Sequence, residues 1–238
     1  MLSTTVGVYF RPMYEKPEVM SGDKLLHNAF AEEHGDRTAA QWNGYMHAAI
    51  DNKIFQVYTN GKARDFAARR TIRGVYRTQS RVNTTGNTKP SSTLKKNTGA
   101  RSVMVTCAIG VGRVLFWHVV PSNKWNAAAA EHMYRKGLEP ALKRACPGAR
   151  RWRLLEDNDP AGYKSRLAEQ CKKELKINPL SLPPRSPDLN PLDFTIWAEI
   201  NKRMRLQESK WSKSKTETRA QFIKRLRRTA MTPPFCIH

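Results

Sequence analysis

Acidic residues are scarce in this chain. Its 238 residues carry 20 Asp and Glu against 42 Lys and Arg, a formal net charge of +22. An imbalance of that size sets up a strong positive field and favours a polyanionic partner, nucleic acid above all. Long apolar runs are missing too. No stretch approaches the roughly 20 residues that a membrane-spanning helix needs, so no membrane partner is expected. The opening MLSTTVGVYFRPMYEK has no basic segment leading into a long apolar one, so it does not read as a secretory signal. Cysteine is sparse. Cys107, Cys146, Cys171 and Cys236 lie far apart and form no CxxC pair, which argues against a zinc ribbon or a disulfide framework and for free thiols in a reducing compartment. There is no internal repeat, and no small-molecule cofactor is expected. What is present is enough apolar material, 39% of the residues, for one sizeable core.

The basic residues are unevenly spread. Residues 59–101 hold eleven Lys and Arg against the single acid Asp65. The second half of that stretch, RVNTTGNTKPSSTLKKNTGAR, is polar and rich in turn formers, so it reads as a long inserted loop, and loops of that length are functional or disordered. Arg69, Arg70, Arg73, Arg77, Lys95, Lys96 and Arg101 are the candidate nucleic-acid contacts. Residues 209–238 form a second basic block, a C-terminal tail containing KRLRR at 224–228. That run reads as a nuclear address, as a phosphate contact, or as solvated surface.

Between the basic blocks the pattern is mixed α/β. YMHAAIDNKIFQVY reads as two strands with a turn near Asn52 and Lys53. SVMVTCAIGVGRVLFWHVV reads as a hairpin broken at Gly110 and Gly112. Asn126 is placed to cap a helix running toward Ala145, kinked or split by Gly137 and Pro140. WRLLED is a short strand, residues 163–175 a helix, and KINPLSLP an extended segment. Asn190 is placed as a helix N-cap with Pro191 at the first helical position.

Against this basic background, RRWRLLEDNDPAGYKS gathers Glu156, Asp157 and Asp159 within four positions. Asp51 and Asp157 each end an apolar strand in this reading, where open α/β sheets place their sites. Asp193 falls in the first turn of the helix begun at Asn190, on the same stripe as Ile196, Trp197 and Ile200. Each acid also has a plain structural reading: a turn residue, an Asx-turn before Pro160, a complement to a helix N-terminus. Together, Asp51, Asp157 and Asp193 describe a carboxylate cluster that repels itself unless cations hold it. Hard oxygen donors suit magnesium or manganese. Two such ions, roughly 3.5–4 Å apart, serve phosphodiester cleavage. Asp159 and Asp188 are the alternative choices, and both read better as loop braces.

LLEDNDPAGYKS followed by LPPRSPDLNPLDFTIWAEI resembles the signature of mariner-type DDE/D transposases, with its QDNDP segment and its SPDLNP segment ahead of an acid and a tryptophan. SVMVTCAIGVGRVLF is similar to that family's VMVWG hairpin, and AAIDNKIF to its FSDES segment. The resemblance spans residues 42–204. It implies a ribonuclease-H-like mixed sheet flanked by helices. It also implies catalytic and metal-holding roles for Asp51, Asp157 and Asp193, two Mg2+ or Mn2+ ions per site, and cut-and-paste DNA transposition by strand cleavage and strand transfer. DNA is then the partner, the basic loop at 59–101 corresponds to a clamp that contacts DNA and a second subunit of a homodimer, and the location is nuclear in a eukaryote or with cytoplasmic DNA otherwise. The implied division is a linker or N-terminal remnant at 1–40 where the family carries helix-turn-helix modules, a catalytic domain at 41–208, and the basic tail at 209–238. The chain departs from the pattern at Asn52 and Lys53, where the family has Glu and Ser, at Thr106 in place of a tryptophan, and at 161–163, where a His is replaced by Ala161-Gly162-Tyr163. The alternatives are a domesticated or decayed copy that binds DNA without cutting it, and an unrelated metal-dependent phosphatase or nuclease.

Overall fold

The computed structural model describes residues 9–12, 21–57, 74–77, 101–110, 112–212 and 214–232, with backbone alone at 9–12, 74–77, 101 and 181. The chain divides into two units: Met1–Glu18 with Tyr58–Arg101 and Ser212–Glu217, and Val19–Val57 with Ser102–Trp211 and Thr218–His238. In the first unit, β1 (Tyr9–Pro12) pairs antiparallel with β3 (Gly74–Arg77), Tyr9 opposite Arg77 and Pro12 opposite Gly74. Of the basic stretch at 59–101, only β3 and Arg101 are described. The candidate contacts Arg69, Arg70, Arg73, Lys95 and Lys96 therefore lie outside the described residues. Arg77 closes β3, and Arg101 opens β4.

The second unit is built on a five-stranded sheet of β2 (Ala48–Val57), β4 (Arg101–Gly110), β5 (Arg113–Val119), β6 (Trp152–Glu156) and β7 (Ile177–Ser181), in the order β5-β4-β2-β6-β7. β2 and β7 both run parallel to β6, while β4 and β5 are antiparallel, so the sheet is mixed. Helices α1 (Ser21–His34) and α2 (Ala39–Tyr45) precede it. α3 (Ala127–Met133) passes through a π-helical turn (Tyr134–Leu138) into α4 (Glu139–Ala145). After α5 (Arg166–Glu174) comes a second π-helical turn (Leu192–Ile196) that leads into α6 (Trp197–Ser209), followed by α7 (Arg219–Met231).

Several elements follow from local chemistry. The β4–β5 hairpin turns at Gly112, whose φ of +70° suits a residue without a Cβ. Asn126 Oδ1 accepts the Ala129 N–H at 3.0 Å and caps α3. The expected break near Gly137 and Pro140 is a π turn inside a continuing helix. Gly137 is needed there because a Cβ would sit 2.1 Å from the Phe116 ring. Pro140 falls in the first turn of α4, where its missing N–H costs little. The helix expected over 163–175 starts at Arg166, because Ser165 Oγ accepts the Ala168 N–H at 3.3 Å and caps it.

One expectation is corrected. Within the stretch expected to hold two strands, Ala48–Val57 form the single strand β2, and Tyr45 ends α2. Asn52-Lys53 lacks the glycine that a two-residue hairpin turn needs, and Asn52 Oδ1 accepts a hydrogen bond from Thr106 Oγ1 of neighbouring β4 at 2.5 Å. Helices also lie near both ends of the described residues. Residues 21–34 form α1, and 219–231 form α7, whose Phe222, Leu226 and Ala230 are buried. The KRLRR run is divided by the helical period: Leu226 faces the core, Arg225 pairs with Glu208 at 2.7 Å and stacks over Trp211, and Lys224, Arg227 and Arg228 face outward.

The pleat sorts the core. Ala49, Phe55, Val57, Val105, Cys107 and Leu155 face α6 and α7, where they meet Trp197, Ile200 and Phe222. Their strand neighbours Ala48, Ile50, Ala108 and Leu154 face the opposite layer, with Met133, Tyr134, Leu142 and Cys171. Glu156, the last residue of β6, points into that second layer and is fully buried. Its carboxylate accepts from Tyr134 OH at 2.5 Å and from Lys172 Nζ at 2.5 Å, and Lys172 Nζ also donates to Tyr163 O at 2.9 Å and to Glu169 at 2.9 Å. The network joins the end of β6, the π turn after α3, and α5. Breaking a buried pair by removing one partner strands the other charge and costs about 3–5 kcal/mol. Lys172→Met is therefore expected to lower the stability of the fold by that amount in urea unfolding, with Glu156→Gln in the same background recovering a large part of the loss.

Candidate active site

The three acids singled out in the sequence come from three elements. Asp51 lies within β2 and is 6% exposed. β2 and β6 pair in parallel with Ala48 opposite Leu154 and Ala49 opposite Leu155. Two steps further in that register are Asp51 and Asp157, so the shared register carries both acids to the same edge. Asp157 is the first residue beyond β6. Asp51 is thus not at a strand end, as the sequence pattern implies, but at the point where β2 outruns its neighbour. Asp193 sits in the π turn ahead of α6, which Asn190 starts: its Oδ1 accepts the Leu192 N–H at 3.1 Å and its carbonyl accepts the Asp193 N–H at 2.9 Å.

One side chain ties these elements together. Trp197, buried at the start of α6, donates its indole N–H to Asp51 Oδ2 at 2.7 Å. Its ring also meets Phe55 edge-on, at a centroid distance of 5.8 Å. Asp51 and Phe55 project from the same face of β2, so α6 is locked to the strand by one polar and one apolar contact. Asp157 is held from its own loop, its Oδ1 accepting the Asp159 N–H at 3.1 Å.

The acids act on each other. Burial, and then the charge of Asp193, push Asp51 up to about 7, with Asp157 adding and the Trp197 hydrogen bond opposing. Burial also raises Asp157, with the charges of Asp159 and Asp193 adding and the Asp159 N–H opposing. On the open side, Lys53 Nζ lies 3.6 Å from Asp193 Oδ1. A cleft of about 360 Å³ opens beside Asp157 and Asp193, lined further by Asn158, Pro183, Arg185 and Asn190. Among the described residues, no group of three or more His, Cys, Asp or Glu is gathered tightly enough to hold a metal ion as it stands. The donor chemistry nevertheless fits a hard divalent cation: carboxylate oxygens from three elements, one of which, Asp51, is pushed up to about 7 first by its burial and then by the charge of Asp193.

The neighbouring acids have other work. Asp159 is a loop brace. Its carboxylate accepts from Trp125 Nε1 at 2.8 Å, Gly162 N at 2.9 Å and Ala161 N at 3.2 Å. Gly162 allows this, since a Cβ there would lie 1.9 Å from Trp125 Nε1. Asp188 is exposed. Glu156 belongs to the buried network behind β6. Trp125, Tyr134, Lys172 and Trp197 are supports of the site that the sequence does not single out as such. Only Trp197 leaves a signal there, as the aromatic on the Asp193 stripe.

The raised Asp51 makes the site a cost to folding. Its proton leaves the unfolded chain near pH 4 and the folded chain near 7, so stability is lost as pH rises through that window. In the absence of divalent ions, Asp51→Asn is expected to melt above the wild type at pH 8, by up to about 4 kcal/mol for a carboxyl raised to about 7. The gap is expected to close as pH falls toward 4, as read by thermal unfolding across pH.

No family model matches the chain, and no curated protein matches it significantly. Solved structures do. A pre-cleavage Mos1 transpososome aligns at TM-score 0.65 and 18% identity over 92% of this chain and 58% of its own. The Mos1 transposase paired-end complex with the left transposon end aligns at 0.60 and 17% identity, over 93% and 58%. The catalytic domain of Mos1 mariner transposase aligns at 0.57 and 14% identity, over 93% and 87%. The chain thus spans somewhat over half of the first two and most of the third. At these identities it is the fold that is shared: a mixed five-stranded sheet flanked by helices, the ribonuclease-H-like fold of the Mos1 transposase catalytic domain.

Proposed function

We propose that this chain is a transposase-like catalytic unit that cuts and joins DNA phosphodiesters at a divalent-cation site made by Asp51, Asp157 and Asp193. The observation that carries the reading is electrostatic. Residues 51, 157 and 193 are distant in sequence, yet beside the burial that does most to raise Asp51, the charges of Asp193 and then Asp157 raise it further. A fold has no structural use for such repulsion, and strongly perturbed acids at a cleft mark sites of chemistry. The fold shared with the Mos1 catalytic domain supports the same reading, and Mos1 structures with Mn and with Mg are among the similar ones. A pair of such ions held by the three carboxylates supplies an activated water, or an activated DNA 3′-hydroxyl, and the charge that stabilises the leaving oxygen.

The chain's own residues orient that chemistry. Trp197 fixes the Asp51 carboxylate through its Oδ2, leaving Oδ1 unconstrained by that bond. The Asp159 N–H holds one oxygen of Asp157 in the same way. Asn190 sets the turn that presents Asp193 to the cleft. The net charge of +22 supplies sequence-independent attraction for the phosphate backbone, and we assign the closest contacts to Arg69, Arg70, Arg73, Arg77, Lys95, Lys96 and Arg101.

Nicking of duplex DNA is expected to need Mg2+ or Mn2+ and to vanish in Asp157→Asn, which keeps shape and one acceptor oxygen but loses the charge. Removing one interaction of this class costs several kcal/mol in the transition state. DNA binding by the mutant is expected to persist. Metal-independent cutting, or full activity in the mutant, contradicts the mechanism. Binding without any cutting by the wild type supports instead a copy that has kept only its hold on DNA.

Neutralising Arg69, Arg70 and Arg73 together is expected to weaken binding and to flatten its dependence on salt, by about 0.9 in log–log slope for each phosphate that is no longer neutralised. A titration series from low to moderate salt measures it, and an unchanged slope assigns these arginines a structural role.

A further inference from the structure

The position where the chain departs from the transposase pattern carries a charge into the site. Lys53 lies two residues beyond Asp51 on β2, so the pleat directs both side chains to the face that meets α6. Its ammonium lies 3.6 Å from Asp193 Oδ1, with Lys53 44% and Asp193 31% exposed. Asp193 is also the largest charged influence raising Asp51. A positive charge on Asp193 therefore offsets the repulsion that any metal-free form of the site must bear.

The pair is also weak by construction. It is wet on both sides, at a distance longer than a direct hydrogen bond, and pairs of this kind contribute about 0–1 kcal/mol. A divalent ion would present twice the charge to the same carboxylate, and a pair this weak would yield to it. We propose that Lys53 is the resident cation of the carboxylate site, holding Asp193 in the metal-free protein and competing with the divalent ion for it. The proposal rests on the reading of the three acids as a metal site. It makes Lys53 a positioning residue that sets how much divalent metal the site needs.

Calorimetric titration of the DNA-free protein with Mn2+ tests this, using wild type, Lys53→Arg, Lys53→Met, Lys53→Glu and, as the control for the site itself, Asp193→Asn. Charge at position 53 is expected to order the affinities. Arginine binds Mn2+ as the wild type does, methionine about two- to five-fold tighter, as loss of an exposed pair allows, and glutamate at least roughly ten-fold tighter, since the local charge changes by two. In the metal-free state, Lys53→Met is expected to melt below the wild type, and saturating Mn2+ is expected to erase the difference. Equal affinities across the series, or weaker binding in Lys53→Met, in a protein whose Mn2+ binding is lost in Asp193→Asn, overturn the role of Lys53 and leave the metal site standing. Mn2+ binding that survives Asp193→Asn, or none in any variant, overturns both.

Discussion

The buried ion pair between Glu156 and Lys172 fixes the point from which the rest of the site is measured. Neither charge is tolerable alone inside the layer behind β6. Both are satisfied only when Tyr134, Tyr163 and Glu169 are also in place. That requirement clamps the carboxyl end of β6 to α5 and to the π turn after α3. Asp157 is the next residue, and the pleat sends it away from the clamp. A rigid acid on one side of the chain thus holds Asp157 on the other, and the parallel register of β2 against β6 carries Asp51 to the same edge.

The site itself is arranged at the expense of stability. Asp51 is buried beside two other carboxylates, and its neutral partner Trp197 orients it without supplying a balancing charge. Hydrophobic packing of Trp197 against Phe55 and Trp117 holds the helix in position despite the repulsion. The second π turn belongs to the same arrangement. It widens the helix start where Asp193 must face the cleft while Leu192 and Ile196 stay buried. Site geometry and core packing are satisfied by the same few residues.

Much of this is readable in the sequence, and the exceptions have physical causes. Strands with turn glycines, such as the hairpin at Gly112, and helices with side-chain caps, at Asn126 and Asn190, follow from local rules and stand where those rules put them. β2 is misread from sequence because Asn52-Lys53 looks like a turn in isolation; its place between β4 and β6, with the hydrogen bond from the sequence-remote Thr106, shows it to be strand. α7 is hidden by its own charge, since its exposed or paired cations outweigh its few buried apolar residues in any reading of composition. Among the acids, the sequence groups Asp51, Asp157 and Asp193 and sets Asp159 and Asp188 aside, but it does not show what the neighbouring Glu156 does. Adjacent residues of one type differ only by the face they take, and the partner that decides it, Lys172, lies sixteen positions away on another element.

The central claim is that Asp51, Asp157 and Asp193 share divalent cations. Anomalous diffraction from crystals of this protein grown with Mn2+ tests it most directly, because the signal locates manganese without reference to activity. The account predicts peaks about 2 Å from carboxylate oxygens of these three residues, with the Lys53 ammonium moved off Asp193. Manganese bound instead at Asp159, Asp188 or Glu156, or no peak among the three acids at saturating metal, would contradict it.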